Sequence, residues 1–118
     1  FLGDEEVPAY FGACDLFCMS SVYATEAFGI VQIEAMSVGK PVVATKIPGS
    51  GVSWVNEHNV SGVNVKPKDS EALAIAFRHI LESPDTYSNY SEQASQRYWT
   101  MFTKTKMIEK CIEIYKNL

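Results

Sequence analysis

The sequence has few of the features that mark membrane proteins or nucleic-acid-binding proteins. No apolar run approaches the roughly 18 to 20 residues that a membrane helix needs, and no basic stretch followed by apolar residues opens the chain. Only 10 of the 118 residues are Lys or Arg, and the net charge is -4. This balance argues against a broad nucleic-acid interface, which needs clustered basic residues. One phosphorylated ligand is still compatible with it, because backbone amides at a helix N-terminus can hold phosphate.

Cysteine and histidine are also scarce. The three cysteines are Cys14, Cys18 and Cys111, with no CxxC pair and no Cys/His spacing suited to a metal. We expect buried free thiols in a reducing cytoplasm, with redox or metal roles as the alternative.

The length suits one domain with one hydrophobic core and is too short for two. We therefore treat residues 1–118 as a single domain. The chain does not begin with Met, and Phe1-Leu2-Gly3 is typical of the end of a strand. We expect the chain to be a piece of a longer protein.

Hydrophobic patterns predict strands that alternate with helices. Short apolar segments at residues 15–20, 41–45 and 63–65 are typical of buried parallel strands. Periodicity and capping residues predict helices over residues 4–13, from Ala27 or Phe28 to Val38, over 70–82 and 84–98, and from Thr103 onward, with one or two turns over 52–57. The predicted fold is α/β, a partial Rossmann-like parallel sheet of three to four strands flanked by helices.

Two helices have patterns that predict their burial. The helix that ends at Val38 is apolar on more than one side, which predicts that it is largely buried. The last helix carries an apolar stripe that should face the core, formed by Met107, Ile108, Cys111, Ile112, Ile114 and Tyr115.

The start of the helix ending at Val38 is the strongest candidate for a ligand site. In open parallel sheets, ligands bind beyond the carboxyl ends of the strands, and residues 20–29 fall there. The backbone amides of Phe28, Gly29 and Ile30 should lack intrahelical partners and lie at the positive end of the helix dipole. Gly29 would let a ligand approach the backbone closely. The segment therefore predicts an anion site that needs no lysine.

Two carboxylates flank these amides. Glu26 precedes the predicted helix and Glu34 lies on it, so a fully helical segment would separate them by roughly 12 Å. Ionised carboxylates bind hydroxyl groups strongly, and such a pair suits the two ends of a sugar nucleotide. The alternative is that Glu26 only stabilises the helix start and Glu34 is a solvated residue. Against it, Glu34 has apolar neighbours on a helix predicted to be buried, so it needs a partner or a cleft.

The seven residues between Glu26 and Glu34 give this segment the spacing of the Glu-x7-Glu motif. It resembles the retaining glycosyltransferases with the GT-B fold, the glycosyl transferases group 1 family. Further segments agree with the donor-binding domain of that family in order and spacing: Ser20-Ser21, Glu26-Ala-Phe-Gly29, Ile33-Glu-Ala-Met36, Gly39-Lys-Pro-Val-Val-Ala44 and Ser61-Gly-Val-Asn-Val65 with Asp69. The resemblance covers nearly the whole chain.

The resemblance implies that residues 1–118 form the C-terminal half of a GT-B donor domain, with the acceptor domain and the basic residues for the diphosphate upstream. Glu26 would be the catalytic carboxylate that positions the donor sugar without attacking it. The amides of Phe28, Gly29 and Ile30 would bind the sugar and the diphosphate, and Glu34 would bind the ribose hydroxyls. The implied reaction transfers a sugar from a nucleotide sugar to a glycan, lipid-linked or polysaccharide acceptor with retention of configuration. No metal or other cofactor is implied.

A second hypothesis is a module that binds a nucleotide or nucleotide sugar without catalysis. Residues 1–118 alone should behave in this way, since half of the catalytic cleft would be missing. The open sheet edge of such a piece should also favour self-association. Lys104, Lys106 and Lys110 leave open a peripheral contact with an anionic membrane, at the inner face if the protein is cytoplasmic.

The loop after Thr45 departs from the family pattern. The family often has two glycines there, followed by a helix that contains Glu, whereas this chain has Pro48-Gly-Ser-Gly51. The acid is displaced to Glu57, to which we assign no role. The loop from Ser21 to Thr25 does not reveal which sugar is bound.

Overall fold

A three-stranded parallel sheet lies at the centre of the computed structural model, which describes residues 1–118. The strands are β1 (Phe17–Met19), β2 (Val42–Thr45) and β3 (Gly62–Val65), in the order β1-β2-β3. All four residues of β2 are buried, because a strand flanks it on each side and helices cover both faces of the sheet. The predicted parallel sheet with flanking helices is confirmed.

Three of the six α-helices begin after a residue whose side chain caps them. The six helices are α1 (Val7–Ala13), α2 (Ile30–Ser37), α3 (Val52–Val55), α4 (Ser70–Leu81), α5 (Pro84–Arg97) and α6 (Lys104–Lys116), with a π-helical turn (Tyr98–Phe102) between α5 and α6. The side chains of Asp69, Ser83 and Thr103 each accept a hydrogen bond from a backbone amide in the first turn of the helix that follows.

Two hydrophobic cores lie on opposite faces of the sheet. Val42 and Ala44 of β2 pack with Met36 of α2 on one face. Val43, between them in the sequence, packs with Ile80 of α4 on the other face. This division follows from the strand itself, since successive side chains point to opposite faces of a sheet.

Helix α2 starts later than the sequence predicts. It begins at Ile30, and the predicted start at Ala27 or Phe28 is wrong. The reason is Gly29, whose φ of 78° is left-handed and does not continue into a right-handed helix. Glu26 therefore lies in irregular chain, and the helical span expected between it and Glu34 does not apply.

Helix α2 is also less buried than predicted. Its exposed residues Ile30, Glu34 and Val38, at the end of the helix, recur every four positions and so share one face. The opposite side packs on the sheet through Gln32, Ala35 and Met36. The apolar residues at exposed positions explain why the sequence pattern suggested burial on more than one side.

The predicted burial of α6 is wrong for this chain. The helix has no buried residue, and Met107 and Ile114 are 59% and 62% exposed. The apolar stripe exists, but the helix packs mainly against the π-helical turn before it, and no other element covers the stripe.

The three thiols are free, as expected, but they are not buried. Cys14 and Cys18 are half-buried and Cys111 is exposed. Partial burial raises the pKa of the Cys18 thiol, and a hydrogen bond with Ser20 offsets only part of this effect.

Alkylation should therefore proceed fastest at Cys111 and slower at Cys18 when the folded protein is treated with iodoacetamide near pH 8. The thiolate is the reactive form, and a raised pKa lowers its fraction at any pH below that pKa. Peptide mass spectrometry over a time course measures the two rates. Faster labelling of Cys18 than of Cys111 would contradict the expected order, and labelling in denaturant provides the reference at which the difference should vanish.

Candidate functional site

Two loops meet beyond the carboxyl ends of neighbouring strands. Residues 20–29 follow β1 and residues 46–51 follow β2. The hydroxyl of Ser50 in the second loop donates to the carbonyl of Glu26 in the first at 2.5 Å, and the N–H of Gly51 donates to the carbonyl of Ala27 at 2.7 Å. The loops therefore form one continuous surface at this edge of the sheet, the usual place for ligands in a parallel α/β fold.

The N-terminus of α2 opens onto this surface with unpaired amides. The N-cap residue Gly29 offers no side-chain cap. The N–H groups of Phe28, Gly29 and Ile30 donate to no acceptor within the chain. Free amides at the positive end of a helix dipole attract anions and other strong acceptors. The structure thus groups three of the predicted site residues at one helix end.

Gly29 is fixed by its conformation and by its packing. Besides the left-handed φ, a Cβ at this position would lie 2.7 Å from Nε2 of Gln32 and 2.8 Å from Sδ of Met19. Real side chains do not approach so closely. The left-handed φ is the stronger reason for glycine, since the two close atoms are the ends of flexible side chains that can shift.

The carboxylate of Glu26 lies in the loop before this helix end. The residue is half-buried, and its backbone carbonyl accepts a hydrogen bond from the Ser50 hydroxyl at 2.5 Å. Its carboxylate takes part in none of the three ion pairs of the chain. The side chain is therefore free to accept hydrogen bonds from a ligand.

Glu34 lies on the exposed face of α2, on the rim of a cleft of about 510 Å³ between α1 and α2. Its carboxylate is also absent from the ion pairs of the chain. The other residues that line the cleft are Asp4, Val7, Pro8, Phe11, Ser37 and Val38. Apolar walls with a few polar groups, at this volume, are typical of small-molecule sites. Because Glu34 is exposed, burial does not force this carboxylate to have a partner, and its role as a ligand residue stays a prediction.

The structure brings some of the predicted site residues together and leaves Glu26 apart from the cleft. Ile30 and Glu34 share one face of α2, about 6 Å apart along the helix axis. Glu26 does not line the cleft beside Glu34. The free amides lie between the two carboxylates in sequence, since Glu26 precedes Phe28 and Glu34 follows Ile30.

A second, smaller cleft adjoins the loop after β1. It has a volume of about 250 Å³ and lies at the carboxyl ends of β2 and β3. Ser20 and Val22 line it from the loop, and Lys66 and Lys68 line it from the chain after β3. The loop after β1 thus lines this second cleft together with the chain after β3.

Sequence reasoning missed Gln32. This side chain is fully buried, and its Nε2 donates to the carbonyls of Phe28 and Val52, both at 3.3 Å. Its Oε1 is buried without a partner. The available signal was a polar residue between Val31 and Ile33 in an otherwise apolar stretch of a helix.

Glu57, to which the sequence assigned no role, pairs with Arg97 at 2.7 Å. The same guanidinium donates to the carbonyls of Trp54 and Val55, so it ties α5 to α3.

No three His, Cys, Asp or Glu side chains gather closely enough to hold a metal ion. None of the helices has the length and apolar character needed to cross a membrane.

Comparison with known proteins gives consistent matches. Residues 1–97 match the family model described as Glycosyl transferases group 1. The chain is 32% identical over 117 residues to O-antigen chain mannosyltransferase C of Escherichia coli, covering 99% of this chain and 31% of that protein. It is 33% identical over 106 residues to D-rhamnosyltransferase WbpZ of Pseudomonas aeruginosa, covering 87% and 28%.

A solved structure with the same fold is that of Anabaena HepE in complex with UDP. The TM-score is 0.85 at 31% sequence identity, over 96% of this chain and 30% of that one. The chain therefore spans less than a third of the length of each of these proteins.

Proposed function

The chain belongs to the glycosyl transferases group 1 family, whose fold is GT-B, and we propose that the protein containing it transfers a sugar from a nucleotide-sugar donor to an acceptor. The observation that carries the proposal is the start of α2, where three amides have no acceptor in the chain and precede the helix that carries Glu34. HepE, which has a similar structure, was solved in complex with UDP and with UDP-glucose.

We assign the two sides of this helix end to the two halves of the donor. Glu34, on the rim of the cleft between α1 and α2, accepts hydrogen bonds from the ribose hydroxyls. The amides of Phe28, Gly29 and Ile30 hold the diphosphate and the sugar. Glu26 accepts hydrogen bonds from the sugar hydroxyls and positions the ring. Carboxylates suit both tasks because an ionised acceptor makes stronger hydrogen bonds than a neutral one.

The chemistry we propose is attack of the acceptor on the face of the sugar from which the diphosphate leaves, with retention of configuration. The bond between the anomeric carbon and the diphosphate oxygen breaks as the bond to the acceptor oxygen forms. The acceptor proton passes to the leaving diphosphate. The free amides and the helix dipole stabilise the charge that grows on this leaving group. Their fixed partial charges support a reaction that does not depend on a metal ion.

The acceptor, in this proposal, is a glycan or a lipid-linked or polysaccharide precursor held by parts of the protein outside residues 1–118. We also propose a cytoplasmic location, which the three free thiols support because such thiols suit a reducing compartment. The exposed apolar stripe of α6, with its lysines, would favour contact with the inner face of a membrane or association between copies of the isolated piece.

Titration of the full-length protein with UDP, GDP and ADP sugars tests the proposal. We expect one donor to bind measurably and to be consumed only when an acceptor is present. Isothermal calorimetry measures the binding, and analysis of the products measures the transfer and the configuration. Binding without any turnover would favour the binding-module alternative. If no nucleotide or nucleotide sugar binds, both the glycosyltransferase proposal and the binding-module alternative fail.

A further inference from the structure

We propose that Ser50 is a positioning residue for the donor site, because its hydroxyl holds the peptide between Glu26 and Ala27 and so fixes the direction of the Ala27 amide, the first of the amides before α2. The identity of the ligand rests on the proposed function. The orientation of the peptides rests on the contacts of the chain alone.

The hydroxyl of Ser50 joins two elements. It donates to the carbonyl of Glu26 at 2.5 Å and accepts from the N–H of Val52 at 3.2 Å. Val52 is the first residue of α3. One side chain thus ties the backbone at Glu26 to the start of a helix whose Val52 and Val55 are buried in the core.

The next two carbonyls are held in the same way. The N–H of Gly51 donates to the carbonyl of Ala27 at 2.7 Å. The side chain of Gln32 donates to the carbonyl of Phe28 at 3.3 Å. Three consecutive carbonyls therefore have protein donors, and two of these donors come from the loop after β2.

The directions of these three carbonyls determine the directions of the N–H groups that follow them. A planar trans peptide carries its C=O and the following N–H on opposite sides, and the chain has no cis peptide. Because the carbonyls of Glu26, Ala27 and Phe28 face their donors, the N–H groups of Ala27, Phe28 and Gly29 point the other way. None of these N–H groups has an acceptor in the chain. Ala27, which lies outside α2, thus joins the amides available to a ligand.

Gly51 makes room for this arrangement. A Cβ at position 51 would lie 3.1 Å from the carbonyl oxygen of Ala27 and 3.1 Å from Cδ2 of Phe28. The φ of Gly51 is -80°, which any residue adopts, so its absence of a side chain serves close approach and not conformation. Ser50 and Gly51 therefore together hold the carbonyls of Glu26 and Ala27.

The test compares Ser50→Ala, Ser50→Thr and Ser53→Ala in the full-length protein, using calorimetry with a nucleotide sugar and with the matching nucleoside monophosphate. Ser53 on α3 is the matched control, because its hydroxyl makes no hydrogen bond in the chain. The hydrogen bond that its backbone carbonyl accepts from Asn64 does not involve the side chain. We expect S50A to weaken nucleotide-sugar binding about fivefold to tenfold, which corresponds to one lost hydrogen bond. Monophosphate binding should change less than about twofold, since that ligand depends mainly on the Glu34 side. S50T should restore binding because it restores the hydroxyl.

Equal losses for both ligands would overturn the proposal, because they would indicate general damage to the domain. So would unchanged nucleotide-sugar binding in S50A. If S50A does not fold, Ser50→Cys makes the same test, since it keeps a side chain of similar shape and replaces the hydroxyl with a much weaker donor.

A crystal structure of the ligand-free S50A protein separates this inference from the proposed function. We expect the peptide between Glu26 and Ala27 to be rotated or disordered. If the unmodified protein binds no nucleotide sugar, the proposed function fails, and the crystal structure still decides whether Ser50 fixes the peptide. An unchanged peptide in S50A would overturn the positioning role.

Discussion

Replacing Glu34 with Ala should weaken the binding of both a nucleoside monophosphate and the nucleotide sugar about tenfold to hundredfold in the full-length protein. A carboxylate that accepts hydrogen bonds from ribose hydroxyls contributes about 1.5 to 3 kcal/mol, and each 1.4 kcal/mol is about a factor of ten. Folding stability should change by less than about 0.5 kcal/mol, because Glu34 is exposed and outside every ion pair. Calorimetry and a thermal melt measure the two quantities.

Two companion variants sharpen this experiment. Glu34→Gln keeps the shape of the side chain and removes its charge, so it should lose less affinity than Glu34→Ala. Glu113→Ala removes an exposed carboxylate from α6 and should leave binding unchanged. Undiminished monophosphate binding in Glu34→Ala would rule out the ribose role. The result also complements Ser50→Ala, since loss of Glu34 affects both ligands and loss of Ser50 only one.

Replacing Gly62 with Ala should destabilise the domain by about 4 kcal/mol or more, an effect at the upper end for single substitutions. Gly62 is the first residue of β3, in register with Val42 of β2. A Cβ there would overlap the carbonyl oxygen of Val42 and lie 2.7 Å from Oδ1 of Asn56. Neither group has room to move, since Val42 is buried in the central strand and Asn56 is fully buried.

The buried amide of Asn56 explains why this corner is so tight. Its Nδ2 donates to the carbonyl of Val42 at 3.1 Å and to Oδ1 of Asn64 at 2.9 Å. Its Oδ1 accepts from the hydroxyl of Ser61 at 2.9 Å. A displaced Asn56 would leave buried polar groups unpaired, which adds to the steric cost.

Thermal denaturation of the Gly62→Ala protein beside a matched glycine variant tests this expectation. Gly12→Ala is the control, because Gly12 is an exposed residue of α1 and a Cβ there would meet nothing within 4 Å. Alanine is the better helix former, so Gly12→Ala should be neutral or slightly stabilising. A Gly62→Ala protein that melts within a few degrees of the unmodified protein would contradict the proposed steric conflict.

The elements that the sequence predicted well are those with a local cause. The three strands are short apolar runs between turns, and this pattern depends on little else. Helices α4 and α5 begin after Asp69 and Ser83, whose side chains cap them. A cap is a contact between residues three apart, so the sequence contains the whole explanation.

The elements that were mispredicted depend on distant parts of the chain or on backbone conformation. Gly29 could have stood within the first turn of α2, and only its left-handed φ reveals that the helix starts after it. The stripe on α6 predicts a face that could be buried, but burial requires an element to lie against it.

The candidate site also contains groups that the sequence could predict and one residue that it could not. The free amides near Ile30 follow from the position of a helix start, which sequence patterns locate to within a few residues. Ser50 could not be identified in this way, because its partner is the backbone of Glu26, 24 residues away. No side-chain pattern records a hydrogen bond to a carbonyl, since every residue has one.

The predominance of backbone groups at the start of α2 has a consequence for mutational tolerance. An amide N–H belongs to every residue except proline, so exchanging the side chain of Ala27, Phe28 or Ile30 leaves the donor in place. A saturation screen should therefore find these positions permissive toward most residues and intolerant of proline. Intolerance of ordinary substitutions should concentrate at Gly29, Ser50 and Gly51, which shape the backbone. Evolution can vary the surface around such a site while the groups that hold the ligand persist.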